Sequence, residues 1–316
     1  MTAAVVGLSH SPLIGKNDPD PETLGRVDAA IDAARAFIAD FAPDLVVLYA
    51  PDHYNGFFYK EMPPFCLGTE AHAVGDFDSS AGPLSVDTDA ARRIAEGVLQ
   101  RGVDLTISAR MTVDHGFAQP LETLFGGIDR VPVVPIFING VATPLCPVAR
   151  IRALGNAVGE AATDLDRRVL FLASGGLSHD PPVPVLDGAP PRVADALIEG
   201  HAPTPEQRAR GEGRVIEAGR QYAAGATTMI PINPGWDNSF LDLLEHGPLG
   251  EFDTWTVEAM AAEGGGSAHE VRAWIAAFAS LAAVGSYTMD LRFYEPIPAW
   301  IAGFAVATAR LTEAPR

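Results

Sequence analysis

The sequence predicts an α/β fold with a largely parallel central sheet flanked by helices. Apolar runs of strand length alternate along the chain with amphipathic patterns of helical period. Several runs are apolar at every position, as in strands that helices cover on both faces. Short polar segments, some of them containing a histidine, follow these runs. Strands that alternate with helices build a parallel sheet, and such sheets bind ligands beyond the carboxyl ends of their strands.

The first part of the chain contains two predicted strands and one predicted helix. Residues 3–8 form a short apolar run that ends near His10, which predicts a first core strand and not a signal peptide. Residues 25–41 carry apolar side chains in alternating steps of four and three, which predicts an amphipathic helix. Residues 45–50 are apolar throughout and stop just before His53, so a buried strand is predicted there.

The same alternation continues through the middle and the end of the chain. The expected helices cover residues 88–101, 148–163, 205–223, 237–246, 254–263 and 268–283. The expected strands and apolar runs cover residues 105–108, 131–138, 169–173, 284–289 and 299–307. Residues 180–191 are rich in proline and predict a long irregular loop. This loop is not a domain linker, because candidate site residues lie on both sides of it, so we expect one domain over residues 1–316.

Composition excludes several classes of partner. The chain has 22 Lys and Arg against 40 Asp and Glu, a formal net charge of −18. Nucleic-acid binding needs clustered basic side chains, whereas the only lysines here are Lys16 and Lys60. An anionic ligand would need a local positive centre, such as a metal. No window of 18 apolar residues suggests a membrane span, and Cys66 and Cys146 are expected to be free thiols in a reducing cytoplasm.

Histidines at strand ends are the main chemical signal. Of the eight histidines, His10, His53 and His179 follow predicted buried strands, and His115 lies in a loop-like segment between a strand and a helix. A single histidine after a strand is more simply explained as a hydrogen-bonded structural residue. Three at equivalent strand ends of a parallel sheet converge by geometry, so the sequence predicts a metal site at the carboxyl ends of the strands.

Glu270 is the candidate for an additional, anionic ligand. It lies four residues before Trp274 on the apolar stripe of the helix at 268–283, where an ionised carboxylate is costly without a cation. A glutamate at a helix start that the helix dipole favours explains the position equally well. Two histidines and one carboxylate form the facial triad of non-haem iron(II) oxygenases, although imidazole also suits zinc, copper and nickel.

Two further groups of residues are candidates for supporting roles. Asp52, Asp114 and Asp237 could orient a neighbouring histidine, or simply serve loops and helix caps. The aromatic residues of segment 54–59 directly follow His53. They would line a pocket for a flat ring if they lay beside a metal, and they are equally well explained as core packing.

Several segments together resemble one enzyme family over nearly the whole chain, least clearly between residues 185 and 225. They are Leu8-Ser9-His10-Ser11-Pro12-Leu13, Ala50-Pro51-Asp52-His53-Tyr54-Asn55-Gly56-Phe57-Phe58-Tyr59, Val113-Asp114-His115-Gly116-Phe117-Ala118-Gln119-Pro120, Ile138-Asn139-Gly140-Val141, Ser174-Gly175-Gly176-Leu177-Ser178-His179, Ile232-Asn233-Pro234, Trp236-Asp237, His269-Glu270, Trp274-Ile275-Ala276, Pro296-Ile297-Pro298 and Trp300-Ile301-Ala302-Gly303-Phe304. This set resembles the class III extradiol ring-cleavage dioxygenases of the protocatechuate 4,5-dioxygenase β-subunit type.

The resemblance implies a single catalytic domain that splits a 3-substituted catechol with O2. It implies Fe(2+) held by His10, His53 and Glu270, with His179 as the base that takes a catechol proton and His115 as the later proton donor. The implied substrate is 2,3-dihydroxyphenylpropionate or the related 2,3-dihydroxycinnamate. The resemblance also implies a homo-oligomer, and two histidines in opposite protonation states predict a bell-shaped pH dependence.

Two alternatives from other classes remain open at this point. A zinc-dependent hydrolase would use the same histidines and glutamate around an activated water. A non-catalytic relative would keep the fold as a binding or scaffold module, although a scaffold does not need two additional imidazoles beside a metal triad. Metal content and oxygen requirement separate the hydrolase from the dioxygenase.

Overall fold

The computed structural model describes residues 2–200 and 202–312, arranged around one large sheet and one small sheet. The strands are β1 (Thr2–Leu8), β2 (Leu45–Ala50), β3 (Phe65–Gly68), β4 (Ala71–Val74), β5 (Ala81–Pro83), β6 (Thr106–Ser108), β7 (Met111–Val113), β8 (Val133–Ile138), β9 (Arg168–Ser174), β10 (Tyr287–Ile297) and β11 (Ala302–Leu311). The helices are α1 (Pro21–Phe41), α2 (Thr88–Gln100), α3 (His115–Phe125), α4 (Val148–Thr163), α5 (Pro191–Glu199), α6 (Pro205–Ala223), α7 (Pro234–His246), α8 (Val257–Gly264) and α9 (Val271–Val284). Short 3-10 turns occur at Tyr59–Glu61, Asp76–Asp78, Leu249–Thr254, Ala268–Glu270 and Pro298–Trp300.

The large sheet has the strand order β10-β11-β1-β9-β2-β8-β3-β6. Its centre, β1-β9-β2-β8, is parallel, which confirms the predicted α/β class. The sheet as a whole is mixed, because β3 pairs antiparallel with β8, and β11 pairs antiparallel with both β1 and β10. Strands β10 and β11 are joined by a short turn, and a short connection produces antiparallel neighbours because a parallel pair needs a long crossover.

Helices cover both faces of the large sheet. Along β2, Leu45, Val47 and Tyr49 contribute to the core beneath α2, α4, α7 and α9, whereas Val46, Leu48 and Ala50 contribute to the core beneath α1 and α3. Both cores are fully buried along this strand. The continuous apolar character of the strand therefore follows from burial on two faces, as predicted.

Small residues seat α9 closely against its neighbours. A Cβ atom at Gly155 of α4 would lie 2.3 Å from the Ala276 carbonyl oxygen of α9, and one at Gly159 would lie 2.2 Å from the Ser280 carbonyl oxygen. On the sheet side, a Cβ atom at Gly7 of β1 would lie 2.2 Å from the Trp274 ring. Glycine at these positions lets α9 approach the sheet, so the residue that precedes the helix, Glu270, reaches the strand ends.

Most predicted elements are confirmed, and several elements are additional. The helices expected at 25–41, 88–101, 148–163 and 205–223 correspond to α1, α2, α4 and α6. The sequence did not predict α3, α5, β3 or the small sheet of β5, β4 and β7. The apolar run expected at 284–289 covers the end of α9 and only the start of β10, which continues to Ile297. Both cysteines are free, with Cys66 buried and Cys146 partly buried. None of the helices within the described residues is long and apolar enough to cross a membrane.

Candidate active site

The carboxyl ends of the parallel strands bring three of the predicted site residues together, and a helix start adds a fourth. His10 follows β1, His53 follows β2 and His179 follows β9, while Glu270 ends the 3-10 turn before α9. His115 is the first residue of α3, so it lies at a helix N-terminus and not in a loop. Its ring stacks on that of His53 with 4.6 Å between centroids and meets the His10 ring edge-on at 5.3 Å. All five residues predicted from the sequence therefore lie in one cluster.

The Glu270 carboxylate is the centre of this cluster. Its Oε1 lies 3.0 Å from His53 Nε2 and 3.1 Å from His179 Nε2. Its Oε2 lies 3.5 Å from His10 Nε2 and accepts a 2.9 Å hydrogen bond from the backbone N–H of Gly176. The side chain is buried, with 3% of the residue exposed. Burial opposes ionisation, but the surrounding histidines outweigh it and hold the pKa of Glu270 well below its usual value.

Hydrogen bonds fix the tautomer of His10. Ser174 Oγ donates a 2.6 Å hydrogen bond to the Gly116 carbonyl oxygen, so it must accept the 2.9 Å hydrogen bond from His10 Nδ1. The proton of the neutral ring is therefore on Nδ1, and the lone pair on Nε2 is directed at Glu270. Burial lowers the pKa of His10 to about 3, which keeps this ring neutral.

Asp114 orients His53. Its Oδ2 accepts hydrogen bonds from His53 Nδ1 at 3.0 Å and from the His53 backbone N–H at 2.7 Å. Burial opposes protonation, but Asp114 and then Glu270 raise the pKa of His53 well above its usual value. Asp114 thus orients a histidine on another segment and not its sequence neighbour, His115. Asp52, the residue before His53, instead accepts backbone N–H groups of residues 55–57.

His115 depends on a carboxylate that the sequence did not indicate. Asp76, in the turn between β4 and β5, accepts a 2.5 Å hydrogen bond from His115 Nδ1 and a 2.9 Å one from its backbone N–H. Burial opposes protonation, but Asp76 and Asp114 raise the pKa of His115. His115 Nε2 is buried and has no hydrogen-bond partner among the described residues. The Phe77 ring lies edge-on to His115 at 5.2 Å.

The His179 ring is also held through Nδ1, in this case by a neutral acceptor. Its Nδ1 donates a 2.7 Å hydrogen bond to the Leu177 carbonyl oxygen, so Nε2 is the atom that faces Glu270. Burial opposes protonation, but the charge of Glu270 and its hydrogen bond raise the pKa of His179. The backbone N–H of His179 donates to the Gly264 carbonyl oxygen at 2.7 Å, which holds the loop after β9 against α8.

These groups fit a bound cation. The His10 Nε2 lone pair and the anionic Glu270 oxygen face each other at 3.5 Å without a proton between them. Two electron-rich atoms in a buried site repel each other unless a cation lies between them. Nitrogen atoms of His10, His53 and His115 also lie within 4.8 Å of one another, which is a second possible donor set. A three-histidine set would leave the buried Glu270 carboxylate without a metal cation.

Other candidates from the sequence have structural roles. Asp237 accepts hydrogen bonds from the backbone and hydroxyl of Ser178 and from the Tyr294 hydroxyl. In the segment after His53, Phe57 stacks on Phe137 at 3.8 Å, which is core packing. Among the remaining histidines, His72 and His246 are exposed and His269 is buried, while His201 lies outside the described residues.

A comparison with protein-family models decides the class of this site. The model described as the catalytic LigB subunit of aromatic ring-opening dioxygenase matches residues 4–305. The chain belongs to this family. As a LigB-family protein it is an aromatic ring-opening dioxygenase, and the family implies a catalytic metal, for which the clustered histidines and acidic groups are suitable donors. Membership decides against the hydrolase and scaffold alternatives.

Curated relatives in the LigB family carry a more specific name. The chain is 55% identical over 98% of both chains to a 2,3-dihydroxyphenylpropionate/2,3-dihydroxicinnamic acid 1,2-dioxygenase of Rhodococcus jostii. It is 52% identical to the protein of that name from Mycolicibacterium gilvum, again over 98% of both chains. It is 51% identical to the one from Escherichia coli, over 96% of this chain and 97% of that one.

Proposed function

We propose that the chain uses iron(II) and O2 to cleave 2,3-dihydroxyphenylpropionate, and the related 2,3-dihydroxycinnamate, beside the two hydroxyl groups. The observation that carries the proposal is the convergence of three histidine Nε2 atoms, those of His10, His53 and His179, on the Glu270 carboxylate, with His115 alongside. The curated relatives, at 50–55% identity, are named for these two substrates. The enzyme is proposed to be a cytoplasmic homo-oligomer with a single catalytic domain over residues 1–316.

Under this proposal His10, His53 and Glu270 hold the iron. Each imidazole has its Nδ1 engaged by a protein acceptor, Ser174 for His10 and Asp114 for His53, so each presents Nε2 to the metal. Bound iron(II) supplies a Lewis acid for the catechol oxygens and a redox centre for O2. Two neutral ligands and one anion leave other coordination positions open, as in the facial triad.

His179 and His115 are assigned the proton transfers. His179 Nδ1 is held by the Leu177 carbonyl oxygen, so only Nε2 can accept a catechol proton. His115 Nδ1 is held by Asp76, so a proton can leave His115 only from Nε2, the atom that has no partner among the described residues. Asp76 favours the protonated ring, which suits a proton donor.

The proposal is tested by anaerobic reconstitution with iron(II), followed by O2 and 2,3-dihydroxyphenylpropionate. We expect a coloured ring-fission product, with one O2 consumed per catechol. Reconstitution with zinc is the matched control and is expected to yield no product, because zinc has no redox chemistry to offer O2. Product from another catechol but not from this one would keep the family and reject the substrate. No product from any catechol, despite bound iron, would contradict the proposed function.

Asp76 is expected to act as a positioning residue for His115. Asp76→Asn removes the charge that holds the His115 ring, so we expect kcat to fall by at least about tenfold while KM for the catechol changes little. Asp78→Asn is the control, because Asp78 lies in the same turn but its side chain is 81% exposed. Equal losses in both variants, or a loss that follows a lower melting temperature, would indicate a structural role for the turn instead.

A further inference from the structure

Arg272 is a buried cation in the helix that follows Glu270. Its exposed fraction is 0%, and among the described residues no other arginine or lysine is buried. It lies two residues after Glu270, in the first turn of α9. Burying an ionised side chain is costly unless an anion or hydrogen-bond acceptors compensate it. The groups that surround the guanidinium therefore indicate what it is for.

The guanidinium has one partner and two free donors among the described residues. Nη1 donates a 2.6 Å hydrogen bond to the Cys146 carbonyl oxygen, which fixes the plane of the group. Nε and Nη2 are buried and have no hydrogen-bond partner. Among the described residues, no carboxylate forms an ion pair with Arg272. The chain has a net charge of −18, yet the one hydrogen-bond partner of this buried cation is a neutral carbonyl oxygen. That carbonyl oxygen does not balance the positive charge.

The two free donors form the edge with which arginine binds a carboxylate. Elsewhere in this protein, Arg26 uses Nε and Nη2 to contact both oxygens of Glu295, at 3.1 and 2.9 Å. Arg152 uses the same two nitrogens to contact both oxygens of Asp253. This two-point geometry is specific for planar anions such as carboxylates. Arg272 presents the same edge without a protein carboxylate.

Arg272 is not the only residue near Glu270 in the chain that has a buried polar atom without a partner among the described residues. Its neighbour His269 has a buried Nδ1 without a hydrogen-bond partner among the described residues. The loop after β8 packs on the same backbone, since a Cβ atom at Gly140 would lie 3.1 Å from the His269 carbonyl oxygen.

We propose that Arg272 binds the side-chain carboxylate of the catechol substrate through Nε and Nη2. This inference rests on the proposed function and adds the residue that selects for an anionic side chain. The rival anchor suggested by composition is Lys60, but its side chain is 66% exposed and its ammonium already pairs with Glu199 at 2.6 Å. A lysine that is exposed to solvent and already paired with a carboxylate contributes little to the selection of a substrate carboxylate.

The test compares two catechols whose side chains end in a carboxylate and in a methyl group, respectively. The iron-loaded enzyme is assayed with 2,3-dihydroxyphenylpropionate and with 3-propylcatechol, and the selectivity is the ratio of the two kcat/KM values. Arg272→Gln is expected to lower this ratio by about 10- to 100-fold, mainly through KM for the carboxylate substrate, because hydrogen bonds to a charged group are lost. Lys60→Gln is the matched control and is expected to leave the ratio unchanged.

Several results would overturn the assignment. Parallel losses on both catechols in Arg272→Gln would show that Arg272 only supports the Cys146 loop, and a fall of the ratio in Lys60→Gln would move the anchor to Lys60. If Arg272→Gln does not fold, Arg272→Met is assayed for the same ratio. For the wild-type enzyme, 3-phenylpropionate should inhibit more strongly than its neutral amide, and equal inhibition would contradict a carboxylate site. Failure of the wild-type enzyme to cleave either catechol would instead reject the proposed function.

Discussion

Glu270→Gln is expected to lower kcat by at least about 100-fold and to release most of the iron on gel filtration. Glutamine has nearly the same shape as glutamate but lacks the charge that balances a cation among buried imidazoles. The substitution also replaces the anionic oxygen that lies near Nε2 of both His53 and His179 with a neutral amide group. Metal content by elemental analysis and kcat at saturating catechol measure the two effects separately.

The control for this variant is Glu258→Gln. Glu258 is an exposed glutamate in the first turn of α8, so it lies near a helix start, as Glu270 does, but is exposed to solvent. If the helix dipole were the reason for Glu270, the two variants would differ only slightly in stability, and both would retain iron and activity. Iron retention and near-normal turnover in Glu270→Gln would instead favour the three-histidine donor set that includes His115.

The fold was largely predictable because a strand that is buried on both faces is apolar at nearly every position of its sequence. Strands β2 and β9 are apolar at nearly every position, and α1 and α2 have a clear apolar stripe, so their type followed from periodicity. The start of α1 did not, because the helix begins at Pro21, after the Asp20 cap and four residues before the predicted start. The strands of the small sheet are three or four residues long and only partly buried, which is too short for a period to be read. The mixed character of the large sheet depends on strand pairing, which periodicity does not report.

The active-site residues that could be predicted most directly are those that follow a buried strand in the sequence. His10, His53 and His179 were found because each follows a buried strand, and parallel strands present their ends on one edge. Asp76 was not found, because it lies in a turn stabilised by left-handed backbone at Gly75 and carries no periodic signal. Arg272 was not found either, since only the structure shows that its donors are buried without a carboxylate.

His179→Gln and His115→Gln are each expected to lower kcat by about 10²- to 10⁴-fold, the usual contribution of a general acid or base. Glutamine can donate a hydrogen bond in place of Nδ1–H, but it cannot accept and release a proton near neutral pH. The outcome distinguishes these residues from the proposed metal ligands, because both variants should retain iron while Glu270→Gln should lose it. His246→Gln, at an exposed histidine, is the control and should behave as wild type.

The hydrogen-bond partners of the His115 and His179 rings allow a more specific prediction for double variants. His115 Nδ1 faces the Asp76 carboxylate, whereas His179 Nδ1 faces a neutral carbonyl oxygen and the carboxylate near His179 lies at Nε2 and is the proposed metal ligand Glu270. A carboxylate that holds Nδ1, and so favours the protonated ring from that side, is therefore present at His115 and not at His179. Replacing Asp76 should therefore reproduce part of the His115→Gln defect and add little to it in a double variant, because both changes act on one proton. When the Asp76 replacement is combined with His179→Gln, the two losses of kcat should be closer to additive. Turnover near wild type in either histidine variant, with iron retained, would remove that histidine from the proton-transfer steps.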